Sequence, residues 1–165
     1  MKKLWAPWRM SYILGIDKSS QQGCIFCTKP REDKDEENFI LFRGRSNFII
    51  LNAFPYNNGH LMVVPYAHIR DFTSLSNEVT SEMMELVKES MRILKEQFKP
   101  DGFNWGANVG RVAGAGIDEH IHIHVVPRRN GDTNYMPVIG ETKVICECLA
   151  DTYKRLFSEF QKIKI

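Results

Sequence analysis

Three of the five histidines in this 165-residue chain fall within five positions, at His120, His122 and His124. Alternating residues of a strand face opposite sides, so the spacing predicts a strand over residues 121–126 with three imidazoles in one row. Backbone positions 120 and 124 would then lie ~13 Å apart, whereas a zinc–nitrogen bond is about 2.1 Å. The spacing therefore disfavours one ion held by all three rings and leaves imidazoles free for nucleophilic chemistry or proton transfer.

A glycine-rich turn, residues 110–116 (GRVAGAG), stands just before the histidine row. Backbone N–H groups in such a turn can bind an anion. A turn of this composition is weak evidence by itself. Followed directly by the histidines, it is typical of a phosphate site beside a nucleophile or proton donor.

The four cysteines form two close pairs, Cys24/Cys27 and Cys146/Cys148. In a reducing compartment, such pairs are metal ligands or ordinary thiols more often than disulfides. The first pair fits zinc, redox chemistry or two free thiols. Redox chemistry is disfavoured because a charged loop, rather than a helix, is expected after Cys27. The second pair is expected to pack or to lie on the surface.

The composition predicts one globular domain, with 43% hydrophobic residues, 25% charged residues and a net charge of +2. The small net charge argues against a partner held mainly by nucleic-acid phosphates. No apolar run approaches the ~18 residues that a membrane span needs, and no signal peptide is recognisable. We therefore expect a cytoplasmic protein without a membrane or nucleic-acid partner.

The elements that must position these residues follow from hydrophobic periodicity, which predicts an α+β fold. An apolar stripe at three- and four-residue steps predicts a long amphipathic helix from Ser76 to about Phe98, capped by Ser76 or Asn77. A second stripe between Ile145 and Ile163 predicts a C-terminal helix. An antiparallel, meander-like sheet is expected from strands at residues 39–43, 47–52, 61–65, 103–109 and 121–126. The charge run at residues 31–37 is expected to be a solvated loop.

Residues 120–126 (HIHIHVV) resemble the signature of the histidine triad (HIT) superfamily of nucleotide hydrolases and transferases, and residues 57–65 (NNGHLMVVP) resemble its second motif. Residues 5–9 (WAPWR), 24–27 (CIFC) and 130–135 (NGDTNY) are similar to the bacterial branch of diadenosine tetraphosphate phosphorylases and ATP adenylyltransferases. The resemblance implies a single HIT-like domain over residues 1–165. It comprises an N-terminal arm (1–38), a triad core (39–129) and a C-terminal extension with a helix (130–165).

The resemblance also implies catalytic roles for three histidines. His122 would attack the α-phosphorus of a nucleotide and form a covalent nucleotidyl-imidazole intermediate. His124 would hydrogen-bond near the phosphate or orient the nucleophile, and His60 would support the opposite side of the triad. No metal is required at the reacting phosphorus.

Nucleotide contacts are implied at positions that match family motifs. The ribose would contact Asn52, and Asn108 would steady the phosphate or leaving group. Many relatives carry Gln and then Ser or Thr in the turn before the triad, where this chain has Ala115 and Gly116. Backbone amides or other residues must then bind the phosphate. The expected nucleotide-binding residues are Asn52, Asn108, Gly114, Gly116 and His124.

A structural zinc site is implied by relatives that carry CxxC. Their other two ligands are a histidine shortly after the second motif and the first triad histidine, which match His68 and His120 here. Zinc held by these four residues, Cys24, Cys27, His68 and His120, would join the N-terminal segment to the sheet. Two free thiols at the cysteines remain the alternative.

The expected activity is cleavage at the α-phosphate of a dinucleoside polyphosphate such as diadenosine tetraphosphate. Inorganic phosphate as acceptor would make a phosphorylase, and water would make a hydrolase. A nucleoside phosphoramidate hydrolase and a non-catalytic nucleotide-binding module are the alternatives. The resemblance implies a homodimer. Trp5 and Trp8 would pack beside the purine or cover an apolar patch.

Overall fold

The computed structural model describes residues 23–132 and 144–164. Its sheet has five strands, all paired antiparallel. They are β1 (Ile40–Arg43), β2 (Asn47–Leu51), β3 (Leu61–Pro65), β4 (Gly102–Gly106) and β5 (Ile123–Arg128). The predicted Trp5 and Trp8 arm, and residues 133–135 of the motif after the triad, lie outside the described residues.

Among the described residues, four α-helices accompany the sheet, and two of them span only one turn. They are α1 (Ile25–Thr28), α2 (Asp35–Asn38), α3 (Asn77–Phe98) and α4 (Leu149–Phe160). Helix α3 begins as expected, because the Ser76 side chain accepts a hydrogen bond from the Val79 amide. It ends where Lys99 turns into the left-handed conformation, just before Pro100.

The strand order is β1-β2-β3-β5-β4, so only the first three strands form a simple meander. Strand β5 returns to pair between β3 and β4. Its register places His124 beside Met62 of β3 and Gly106 of β4. The histidine strand is therefore interior to the sheet, with a neighbour on each side.

The two faces of the sheet are covered differently. Helices α3 and α4 pack on one face over an apolar core that includes Leu86, Leu94 and Ile123. A smaller apolar cluster lies on the other face and includes Phe26, Phe48 and residues of β1, β2 and β3. Alternation along β5 sends Ile123 and Val125 to the helical core and His124 to the opposite face.

The structure corrects several sequence-based boundaries. Strand β5 runs over Ile123–Arg128 rather than 121–126, so His120 and His122 precede it. The charged segment is not simply a loop, because Lys29–Arg31 forms a 3-10 turn and Asp35–Asn38 forms α2. Strand β4 occupies Gly102–Gly106 rather than 103–109, and α4 begins at Leu149, after Ile145.

The cysteine motif itself forms α1, and this helix ends at Thr28, directly after Cys27. Cys24 is the N-cap residue of α1, and its carbonyl oxygen accepts hydrogen bonds from the amides of Cys27 and Thr28. A 3-10 turn at Lys29–Arg31 and the charged segment follow, so the motif does not open a longer helix. This agrees with the sequence-based expectation, which disfavours redox chemistry at the motif. Within residues 23–132 and 144–164, no helix is long and apolar enough to cross a membrane.

Candidate active site and metal centre

His60 and His124 are brought together by the pairing of β3 with β5. His60 immediately precedes β3, and its Nε2 atom lies 3.0 Å from Nδ1 of His124. His60 is 1% exposed, so the contact is shielded from water. The fold therefore brings these two catalytic candidates into direct contact.

Hydrogen bonds define which ring nitrogens of this pair carry protons. The Tyr56 amide donates to Nδ1 of His60 at 3.0 Å, so that nitrogen is an acceptor. In neutral His60 the proton must then be on Nε2, which donates to Nδ1 of His124. Neutral His124 therefore carries its own proton on Nε2, where it is available to another acceptor.

In His122 the proton is on the other ring nitrogen, Nδ1. Its Nδ1 atom lies 2.8 Å from the carbonyl oxygen of His120, and a carbonyl can only accept. The Nδ1 proton is thus used inside the protein, and Nε2 of neutral His122 carries a lone pair. The rings of His122 and His124 are in edge contact, with centroids 4.8 Å apart. A nitrogen lone pair and an N–H donor are consequently placed on neighbouring rings.

Burial keeps these imidazoles neutral. It lowers the pKa of His60 to about 3, with smaller contributions from the charged forms of His124 and His122. Burial, followed by the neighbouring His122, lowers the pKa of His124 to about 4. The pKa of His122 is lowered by burial too, and its hydrogen bond to the His120 carbonyl opposes that effect. The tautomers above are therefore those of neutral rings near pH 7.

Asn52 lies beside the histidine pair. Its Nδ2 atom is 3.5 Å from Nε2 of His60, and its side-chain oxygen accepts from the Phe54 amide. Asn108 follows β4 by two residues, and Gly106 at the end of that strand pairs with His124. Both asparagines thus belong to segments that flank the histidines, and their contacts with a nucleotide stay predictions.

The glycine-rich turn contains a 3-10 helix over Arg111–Ala113, between two positive-φ glycines, Gly110 and Gly114. Three of its amides donate within the turn: Ala113 and Ala115 to Gly110, and Gly114 to Arg111. These hydrogen bonds make the turn compact. They also mean that the Gly114 amide is occupied, so the turn offers fewer backbone donors to an anion than its composition suggests.

The four predicted metal ligands converge. One ligand atom from each of Cys24, Cys27, His68 and His120 lies within 4.8 Å of all the others. The Nδ1 atom of His120 is 3.3 Å from Sγ of Cys24 and 3.6 Å from Sγ of Cys27. The Nδ1 atom of His68 is 3.2 Å from Sγ of Cys27. The prediction of one metal site formed by these four residues is confirmed.

The donors fit zinc in chemistry and spacing. Two thiols and two imidazoles are a common tetrahedral zinc set, in which sulfur and nitrogen ligands are about 3.6 Å apart. Nε2 of His120 lies 2.8 Å from the carbonyl oxygen of Pro65 and must donate to it. The Nδ1 lone pair of His120 therefore faces the cysteines, and its other nitrogen has the outer hydrogen bond that metal-binding histidines usually make.

Sequence reasoning did not single out Phe26 or Tyr56. Phe26 lies between the two cysteines, is 1% exposed, and packs on the ring of His122 with centroids 4.9 Å apart. The Tyr56 ring lies 4.5 Å from that of His60. An apolar residue inside the CxxC motif was the available signal for Phe26. The role of the Tyr56 amide has no signal in sequence, because any residue except proline supplies that donor.

Comparison with known proteins agrees with this geometry. The HIT domain model matches residues 33–131. The chain belongs to the HIT domain family. Over 167 aligned residues it is 37% identical to the AP-4-A phosphorylase of Mycobacterium tuberculosis, covering 98% of this chain and 86% of that protein.

Solved structures show the same fold. A Zn-bound histidine triad family protein from Mycobacterium smegmatis superposes with a TM-score of 0.68 and 26% identity, covering 85% of this chain and 94% of that one. A hypothetical histidine triad nucleotide-binding protein from Sulfolobus tokodaii gives 0.66 and 25%, covering 84% and 90%. The predicted α+β HIT-like fold is confirmed.

Proposed function

We propose that this protein is a phosphorylase that cleaves diadenosine tetraphosphate at an α-phosphate through a nucleotidyl-histidine intermediate on His122. Family membership and the similarity to an AP-4-A phosphorylase support a nucleotide-processing enzyme. The mechanism rests on the different proton positions of two adjacent imidazoles. His122 presents a lone pair on Nε2, and His124 presents a proton on Nε2.

The first step follows from these two atoms. The Nε2 lone pair of His122 forms a bond to the α-phosphorus, and the bond from that phosphorus to the bridging oxygen breaks. ATP leaves as an anion, and the oxygen that carried the broken bond accepts a hydrogen bond from the Nε2–H group of His124, which stabilises the charge that develops there. His60 stays hydrogen-bonded to Nδ1 of His124 and keeps that ring oriented.

The second step is a further displacement at the same phosphorus. An anionic oxygen of inorganic phosphate attacks the adenylyl phosphorus, and the Nε2–H group of His124 again serves as a hydrogen-bond donor. The phosphorus–nitrogen bond breaks, ADP leaves, and His122 regains its lone pair. With water in place of phosphate, the same step would release AMP, and the proton of the water would pass to solvent. Two in-line displacements through a covalent intermediate predict ping-pong kinetics.

Zinc is the resident metal that we assign to Cys24, Cys27, His68 and His120. The zinc-bound relative from Mycobacterium smegmatis and the two-sulfur, two-nitrogen donor set support this assignment. When bound, zinc would crosslink α1 to the segment that leads into β5, and this would stabilise the fold. All four ligands are then protein groups, so no position is left for substrate.

The nucleotide contacts are proposed for residues flanking the histidines. Asn52, beside His60, would bind the ribose, and Asn108 with Gly116 would contact the phosphates. Gly114 would act through the shape of the turn, because its amide is already bonded to Arg111.

Assembly and location are parts of the same proposal. Strand β4 is at an edge of the sheet and carries Trp105, which is 52% exposed. An edge strand with a large exposed apolar side chain is suited to pairing with a second copy, which favours a homodimer. A monomer by analytical ultracentrifugation would contradict this. Use of cysteines as metal ligands and free thiols favours the cytoplasm.

Product analysis tests the proposed activity. Purified protein is mixed with diadenosine tetraphosphate, with and without inorganic phosphate, and the nucleotides are separated by chromatography. We expect ATP and ADP, formed only with phosphate. ATP and AMP without phosphate would instead identify a hydrolase.

A lack of turnover in both mixtures would contradict the proposal. Nucleoside phosphoramidates would be tested next, because their cleavage can use the same adenylyl-histidine. Tight nucleotide binding without turnover of any substrate would favour the non-catalytic binding module.

A further inference from the structure

The one-turn helix α1 places an aromatic ring against the nucleophile. Phe26 packs on His122 with centroids 4.9 Å apart and rings tilted by 50°. It also makes an edge contact with His120, with centroids 5.4 Å apart. Phe26 is 1% exposed and belongs to the small apolar cluster on the histidine face of the sheet.

The hydrogen bond from Nδ1 of His122 to the His120 carbonyl restrains one edge of the imidazole. Small coupled changes of χ1 and χ2 can still tilt the ring while this bond is kept. Two neighbouring rings limit such tilting, Phe26 with its centroid 4.9 Å away and His124 with its centroid 4.8 Å away. Phe26 therefore contributes directly to where the Nε2 lone pair of His122 points.

The metal ligands determine where Phe26 lies. Helix α1 has four residues and no side-chain cap, so it is too short to be stable by itself. Cys24 and Cys27, one on either side of Phe26 in the chain, approach His120 and His68 on the sheet. A metal bound there would fix both ends of the turn and hold the phenyl ring between them.

We infer that Phe26 is a positioning residue for His122, and that the metal site holds its ring against the nucleophilic imidazole. The inference rests on the proposed function. It gives the CxxC turn a part in the chemical step beyond joining the N-terminal segment to the sheet. Displacement of a nucleophile by about 1 Å can lower a rate by about 100-fold.

The test uses zinc-loaded protein and the variants Phe26→Leu and Phe26→Ala. Rapid-quench mass spectrometry measures the single-turnover rate of His122 adenylylation, while steady-state kinetics separates kcat from KM. Zinc content is measured for each variant. Phe48→Leu is the matched control, because Phe48 is fully buried in the same cluster and its ring contacts Tyr66 rather than a histidine.

We expect Phe26→Ala to adenylylate about 10- to 100-fold more slowly at an unchanged KM and with one zinc bound. Phe26→Leu should be intermediate, and Phe48→Leu should retain the wild-type rate. An unchanged rate in zinc-loaded Phe26→Leu and Phe26→Ala would overturn the inference. A change confined to KM, or an equal loss in Phe48→Leu, would overturn it as well.

Nitrogen-15 NMR provides a readout that does not depend on activity. In the zinc-bound protein, His122 should show one sharp set of ring signals with the proton on Nδ1, and Phe26→Leu should broaden them. Zinc removal should broaden the same signals, while the methyl signals of Leu86 and Leu94, recorded by carbon-13 NMR, should persist. Sharp His122 signals without zinc would overturn the inference that the metal site holds the Phe26 ring in place. Loss of the His122 and leucine methyl signals together would overturn it as well.

Failure of the proposed function is recognised separately. If wild-type protein neither forms adenylyl-His122 nor turns over a nucleotide, the proposed function itself fails. If wild-type protein forms the intermediate and the Phe26 variants form it equally fast, the inference alone fails.

Discussion

The two faces of the sheet are built on different physical principles. The face under α3 and α4 is mainly apolar, and its leucine, isoleucine and valine side chains pack without directional bonds. The opposite face combines a small apolar cluster with imidazoles and thiols that depend on defined hydrogen-bond partners. Stability and chemistry are thus divided between the two faces, although the same strands supply both.

The largest expected effect comes from the nucleophile. We expect His122→Asn to lower kcat by at least about 10³-fold, because the lone pair that forms the phosphorus–nitrogen bond is lost. Nucleotide affinity and the melting temperature should change little. Steady-state kinetics, equilibrium binding and thermal unfolding are the measurements. Residual turnover above about 1% would contradict the assignment of His122.

The opposite face should give the converse result. Leu86 is fully buried in the helical core, and Leu86→Ala should lower the free energy of unfolding by about 2–5 kcal/mol. Below the melting temperature, kcat should be retained. Denaturant unfolding and kinetics are compared with Glu85→Ala, an exposed change on the same helix that should cost at most about 0.5 kcal/mol. A loss of kcat in Leu86→Ala, alongside the loss of stability, would show that packing on the helical face also determines catalysis on the other face.

Acid should affect the histidine face selectively. Burial lowers the pKa of His60 to about 3, whereas in the unfolded chain its pKa is about 6.5. Between these values the unfolded chain binds the additional proton, so the free energy of unfolding falls as the pH decreases from 6.5. One such group contributes a slope of up to about 1.4 kcal/mol per pH unit.

Denaturant unfolding of wild-type and His60→Asn protein between pH 7 and 5 measures this slope. Both proteins contain the zinc ligands, so their titration cancels in the comparison. We expect a shallower slope for His60→Asn. Equal slopes would mean that His60 takes up its proton as readily in the folded protein as in the unfolded chain.

Elements set by local apolar patterns could be predicted from the sequence. Strand β3 has the expected bounds because a continuous apolar run follows a turn. Helix α3 differs by one residue at its start, where Ser76 is the cap. The start of β5 was wrong, because the Ile121 amide bonds to Ile69 and His120 bonds to Pro65, so these residues leave the strand. Alternation in sequence cannot reveal such contacts between distant segments.

Only part of the site could be predicted, because contacts between distant segments also determine its geometry. Residue types and family resemblance gave the four metal ligands, and the structure brings them together. The proton positions on His122 and His124 were beyond prediction, because they depend on a carbonyl oxygen and on the Tyr56 amide. Phe26 was missed because an apolar side chain in a short turn does not reveal what it will contact.

Strand β5 alternates between the two faces, with Ile123 and Val125 turned to the helices and His124 turned away. A slip of one residue in its pairing would send the imidazole of His124 into the apolar layer and the side chains of Ile123 and Val125 toward the site. Such a misfolded form would lose stability and activity together. Turnover per mole of protein would therefore count the molecules in correct register, which makes catalysis a measure of folding fidelity after refolding.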